Sequence, residues 1–173
     1  QSMMPEGLLK TLQPEEIRDL IAYLASPTQV ALSGPRAPID PKTKRVPYAL
    51  EGESLKIIGK TAGNVPSQKM SGFHRDRWSG DDHLWWTGAG PGAKLDLELP
   101  VKTPGATELE IVLTRARAYG IVQLWLDDQK LGGPIDLFNA RDVINTGVLT
   151  FPVTALSKGP HKLTIEILGA HPK

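Results

Sequence analysis

From about Tyr48 onward the chain alternates apolar and polar positions with a period of two. Leu95, Leu97 and Leu99 alternate with Asp96 and Glu98, and Leu109, Ile111 and Leu113 with Glu108, Glu110 and Val112. Val122, Leu124 and Leu126 alternate with Ile121, Gln123 and Trp125, and Leu163, Ile165 and Ile167 with Lys162, Thr164 and Glu166. Side chains on a strand point to opposite faces in turn, so each run predicts a strand with one face on a core and one in water. Gly90-Pro91-Gly92, Thr103-Pro104-Gly105, Asp127-Asp128, Gly132-Gly133-Pro134 and Lys158-Gly159-Pro160 separate the runs as turns. Short strands at this spacing predict a mainly β fold, a jelly-roll β-sandwich.

The front of the chain has a different period. Ile17, Leu20, Ile21 and Leu24 fall at i, i+3, i+4 and i+7, one face of a helix predicted over 14–25. Pro14 suits the first helical position, and Glu15 and Glu16 suit the positive end of the helix dipole. A helix this short is marginal alone and needs a surface to pack on. Residues 26–47 carry Pro27, Pro35, Pro38, Pro41 and Pro47 with Arg36, Lys42, Lys44 and Arg45, which predicts a solvated, semi-extended linker. The expected organisation is therefore 1–25 helical, 26–47 linker and 48–173 sandwich.

Composition narrows the chemistry. With 20 basic and 19 acidic residues the net charge is +1, which offers no electrostatic basis for nucleic acid or an anionic membrane surface. No apolar run approaches the roughly 20 residues of a membrane helix. Cysteine is absent, so disulfides, thiolate metal sites and covalent haem attachment are excluded within this sequence. The sequence opens on Gln1, which suggests a fragment or a processed form.

Candidate binding chemistry gathers where three of the four tryptophans lie, at Trp78, Trp85 and Trp86. Leu84 shares a strand face with Trp86, which places Trp86 in the core and turns Trp85 outward with His83. Trp78 is expected in a loop, where binding residues concentrate. These rings either pack the sandwich or stack against the C–H face of a sugar. Arg75, Asp76, Arg77, Asp81 and Asp82 suit vicinal hydroxyls, or form local ion pairs worth roughly 0–1 kcal/mol. Trp125 is expected to point outward as a second platform or a partner patch, and Tyr119 to shape the site or cap the core. His74, His83, His161 and His171 have no ligand spacing, and no nucleophile elbow or phosphate cradle is present. The expectation is that the chain is not an enzyme.

In their order along the chain, several segments resemble the family 6 and family 35 carbohydrate-binding modules. They are Glu51-Gly52-Glu53, Ser79-Gly80 leading to Trp86, Pro91-Gly92 through Val101, Val122 through Asp128, and Gly159 through Ile165. The resemblance implies a polysaccharide or oligosaccharide partner and a possible Ca²⁺ held by Glu51 and Glu53 with an Asp on a closing strand. The expectation is that this strand is missing here, leaving an edge exposed or filled by another segment. Residues 1–25 resemble the tail of a class I cytochrome c domain of planctomycete type, with Met3 or Met4 at the axial haem ligand position. Since Cys-x-x-Cys-His is absent, this implies that haem c belongs to an upstream part of a parent protein, and that the protein is bacterial and exported. The reading is thus a non-catalytic carbohydrate-binding module of a larger, redox-linked protein. The alternative is a structural module docking on a cytochrome c or other partner domain, with the aromatic patch as its interface.

Overall fold

A computed structural model of the chain describes Gln13, Pro14 and residues 35–172. The chain divides into two units, Gln1–Val30 and Ala31–Lys173, and every strand belongs to the second. Apart from Pro14, which is helical, the expected helix over 14–25 lies outside the described residues, as do Met3 and Met4.

The second unit is a β-sandwich, as the alternation predicts. Its strands are β1 (Lys56–Lys60), β2 (Ser67–Lys69), β3 (Asp82–Leu84), β4 (Lys94–Val101), β5 (Glu108–Arg115), β6 (Gly120–Leu126), β7 (Gln129–Asp136), β8 (Ile144–Pro152) and β9 (Gly159–Ala170). One layer is an antiparallel sheet of five strands in the order β1-β4-β9-β6-β7. The other strands form two separate pairs, β2-β3 and β5-β8. The chain runs from β4 to β5 and from β7 to β8 across layers, so sequence neighbours face each other over the core.

Three of the four alternating runs, β4, β6 and β9, form the middle of the five-stranded layer, and the fourth, β5, lies in the other layer. Leu95 and Leu97 of β4, Leu124 and Leu126 of β6 and Leu131 of β7 are all under 5% exposed. Each such side chain contributes roughly 1.5–3 kcal/mol by leaving water. Phe151, Val153 and Leu156 close the core from the opposite side. β6 and β7 join through Asp127-Asp128, with Asp127 at φ 51°, a left-handed conformation that Asp tolerates. Asp127 also accepts the Lys162 N–H at 2.8 Å, tying the hairpin to β9. Gly120 is required at the head of β6, because a Cβ there would lie 2.5 Å from the Gly169 carbonyl oxygen.

The tryptophans divide as the alternation predicts at two positions. Trp86 packs against the core and its Nε1 donates to the Ala62 carbonyl at 2.9 Å, while Trp85 is 36% exposed. Two neighbours differ from expectation. Trp78 is 7% exposed, because its indole N–H finds the Thr114 hydroxyl at 2.9 Å on β5. His83 is half-buried rather than turned outward, with Nδ1 at 2.9 Å from the same hydroxyl and Nε2 at 2.8 Å from the Gln68 side-chain oxygen. Its burial holds the imidazole pKa below the usual histidine value.

Candidate functional site

The loop from Met70 to Asp81 closes on itself. Met70, 2% exposed, anchors it, and its N–H donates to the Asp81 carbonyl at 2.8 Å while its carbonyl accepts from Phe73 at 3.0 Å. Gly80 and Asp81 turn the chain back through positive φ, 67° and 56°. Phe73 meets Trp78 edge-on, with ring centroids 6.3 Å apart. That geometry suits the ring quadrupoles.

The segment before β1 fixes this loop from outside. Arg36 reaches Asp76 at 2.6 Å, and Asp76 also accepts the backbone N–H groups of Arg77 and Asn145, each at 2.9 Å. The Asp76 side chain is only 5% exposed. A buried carboxylate is stable only when paired and hydrogen-bonded, and here one group joins segment, loop and β8. Ser79 donates to Glu51 at 2.6 Å and accepts the Val46 N–H at 2.9 Å, and Arg45 pairs with Glu51 at 3.1 Å.

Between Arg36 and the loop lies an open hollow of about 330 Å³. Arg75, Arg77, Trp78 and Asp81, expected from the sequence as binding residues, all line it. Trp78 forms a wall rather than an open platform. Arg75 leans on Asp142 at 3.5 Å. Among the described residues, the side chains of His74, Arg77 and Asp81 have no hydrogen-bond or ion-pair partner, and all three are exposed. Polar groups that the fold does not use stand beside an aromatic wall, an arrangement able to take a hydroxyl-rich ligand with a flat apolar face.

The remaining expected residues lie elsewhere. Asp82, Trp85 and Tyr119 border a larger groove that adjoins the hollow and shares Arg36, Asp76, Arg77 and Trp78 with it, and burial raises the Tyr119 hydroxyl above its usual pKa. Asp82 pairs with Lys69 at 2.7 Å. Trp125 stands on the outer face of the five-stranded layer, its Nε1 donating to Glu166 at 3.3 Å, away from both concavities. Sequence reasoning passed over Arg36, Phe73 and His74. Phe73 and His74 sit in the same loop and were within reach, whereas Arg36 is 40 residues from its partner and nothing local marks it.

Glu51 and Glu53 do not fit calcium as they stand. Calcium takes six to eight oxygens, and Glu51 is already held by Arg45 and Ser79. Glu53 is raised above the ordinary carboxylate range by burial and then by the charges of Glu51 and Asp82. Among the described residues, no three acidic or histidine side chains are grouped to hold a metal ion. No described helix is long and apolar enough to cross a membrane.

No family model and no curated protein matches the chain. Among solved structures, a Paenibacillus xanthan lyase shares the fold with TM-score 0.56 and 19% identity, over 76% of this chain and 12% of that one. An exo-β-1,3-galactanase from Phanerochaete chrysosporium aligns with TM-score 0.41 and 16% identity, over 70% of this chain and 26% of that one. A cycloisomaltooligosaccharide glucanotransferase from Paenibacillus aligns with TM-score 0.40 and 17% identity, over 70% and 16%. The chain thus spans a small part of each of these enzymes.

Proposed function

We propose that the chain is a non-catalytic carbohydrate-binding module that seats a saccharide in the hollow beside loop 70–81. The observation that carries this reading is the set of unengaged side chains, His74, Arg77 and Asp81, beside the Phe73 and Trp78 wall. A pyranose presents hydroxyls around its rim and C–H groups on its faces, so it matches a polar rim with an aromatic wall. The guanidinium of Arg77 grips vicinal hydroxyls, and Asp81 accepts from them. The volume, about 330 Å³, suits a chain end or one to two sugar units. Few ligand atoms are buried, so affinity falls on the order of 10–1000 μM. The fold shared with a segment of a xanthan lyase supports a carbohydrate setting. The cytochrome-like residues 1–25 extend the proposal: the module works beside an upstream haem c domain of an exported bacterial protein.

The test is a glycan and polysaccharide panel read by tryptophan fluorescence, with and without calcium. One glycan class is expected to give a saturable, calcium-independent change. Arg77→Ala with Asp81→Asn is expected to weaken it at least tenfold, about 1.4 kcal/mol, with unchanged melting. Retention by that double variant overturns the site, and glycoside turnover by the purified chain overturns the non-catalytic role. A calcium requirement moves the site toward Glu51 and Glu53.

A further inference from the structure

From Pro41 to Arg45 every residue is exposed, and no strand or helix runs through the segment. Three of the chain's 20 basic residues fall here, at Lys42, Lys44 and Arg45. Lys44-Arg45 is the single place in the sequence where two of them are adjacent. Lys42 and Lys44 have no ion-pair partner among the described residues, so the fold makes no use of their charge. The segment follows Val30, where the first unit ends, and precedes β1, which begins at Lys56.

The peptide bond from Arg45 to Val46 is latched on both sides. The Arg45 carbonyl accepts the Asp40 N–H at 2.9 Å, and the Val46 N–H donates to the Ser79 hydroxyl oxygen at 2.9 Å. One residue earlier, the Lys44 carbonyl accepts the Gly80 N–H at 2.7 Å. The Arg45 guanidinium lies 3.1 Å from Glu51, and Glu51 also accepts from the Ser79 hydroxyl at 2.6 Å. Glu51 and Ser79 thus hold the side chain and the main chain at this one bond. Lys44 sits at φ 59°, a left-handed conformation that strains a non-glycine residue. A protease takes its substrate extended, so this bond is reached only when the latch opens locally.

We propose that Arg45–Val46 is a processing site for an endoprotease that cuts after paired basic residues, with Glu51 and Ser79 as the latch that sets its rate. Arg45 fills a carboxylate-lined first pocket of the protease, and Lys44 and Lys42 reach the acidic pockets beyond it. Water adds across the peptide bond. Its oxygen goes to the Arg45 carbonyl carbon, the C–N bond breaks, and Val46 leaves as an amine that takes up the proton. The products are 1–45, ending in a carboxylate, and 46–173, which holds every strand of the sandwich. Arg36 leaves with the first product. Asp76, 5% exposed, then loses its ion-pair partner, and the hollow loses one side of its rim. A linker built for solubility alone needs neither an adjacent pair of cations nor a latch on the bond that follows them.

The test incubates the full chain with a protease specific for paired basic residues and reads the products by mass spectrometry. The first product is expected to begin at Val46 and to keep slow amide exchange in β4, β6 and β9. Glu51→Gln and Ser79→Ala are each expected to speed the cut about fivefold or more, since cleavage follows the population of the open form. Lys44→Gln is expected to slow it roughly tenfold, by removing one charged contact with the protease. Trypsin on the same variants reads global opening, and its cuts inside strands, at Lys94 and Lys130, are expected to keep the parent rate. Four results overturn the proposal: a chain cut only after denaturation, equal rates in the parent and both latch variants, a speed-up shared by the strand sites, or a 46–173 product that has lost its slow amides. No glycan takes part, so this proposal and the saccharide reading fail separately.

Discussion

The two layers of the sandwich obey the same alternation and end in different conditions. The five-stranded layer is continuous, and β4, β6 and β9 each have a neighbour on both edges, so every inward leucine meets others on the same face. In the second layer Leu109, Ile111 and Leu113 of β5 alternate just as cleanly but stay only partly buried. Side-chain pattern therefore fixes which face turns inward, whereas burial depends on whether a strand has neighbours to complete its sheet. That difference is open to direct test. Leu124→Ala, at a position 1% exposed, is expected to cost about 3–5 kcal/mol in chemical denaturation, and Ile111→Ala about 1–2 kcal/mol. Equal losses at the two positions would show that both layers are packed alike.

The same contrast explains how much could be read from the chain. The strands of the continuous layer, their inward leucines and the division of Trp85 from Trp86 follow from a two-residue period, a local signal. The second layer depends on long-range partners. Trp78 reads as an exposed loop residue until Thr114, 36 residues away, arrives to take its N–H. His83 turns inward for the same hydroxyl, against the local alternation. β3 is three residues long, too short for any periodicity to register, and so the split beside it leaves no local trace. At the hollow, Arg75, Arg77, Trp78 and Asp81 were marked by residue type in a polar loop, while Asp76 became a buried junction only because Arg36 and Asn145 fold onto it.

Trp78→Phe sharpens the comparison at intermediate size. It keeps the ring and its contact with Phe73 and removes one donor, so the loss is expected to be about 1–2 kcal/mol. Thr114 retains His83 as a partner, which keeps the loss at the lower end. The equivalent change on the continuous layer, Trp125→Phe, removes a longer, partly solvated bond to Glu166 at 3.3 Å, and is expected to cost roughly 0–1 kcal/mol. If Trp125→Phe proves the more damaging of the two, the indole of Trp78 is not what ties β3 to β5.

The smallest effects separate the layers by sign. Burial lowers the pKa of His83 in the second layer below its ordinary 6.5. The unfolded chain then takes up a proton before the folded one, so stability falls as pH drops through 6.5 towards the folded value. His161 of the continuous layer is raised, first by its bond to Asp127 at 2.7 Å and then by the Ser157 carbonyl at 2.9 Å. Its contribution is fully present below 6.5 and is lost as pH rises through the folded value. Asp127 is lowered by the same contact, so the pair also weakens as pH falls through the carboxylate range. Denaturation midpoints measured across pH 5–8 should therefore show opposite changes in slope for the two variants. His83→Gln removes a component that rises with pH, and His161→Gln removes one that falls. Parallel slopes would mean that His83 titrates as a solvated histidine, and that the contact of Trp78 and His83 on Thr114 opens in solution.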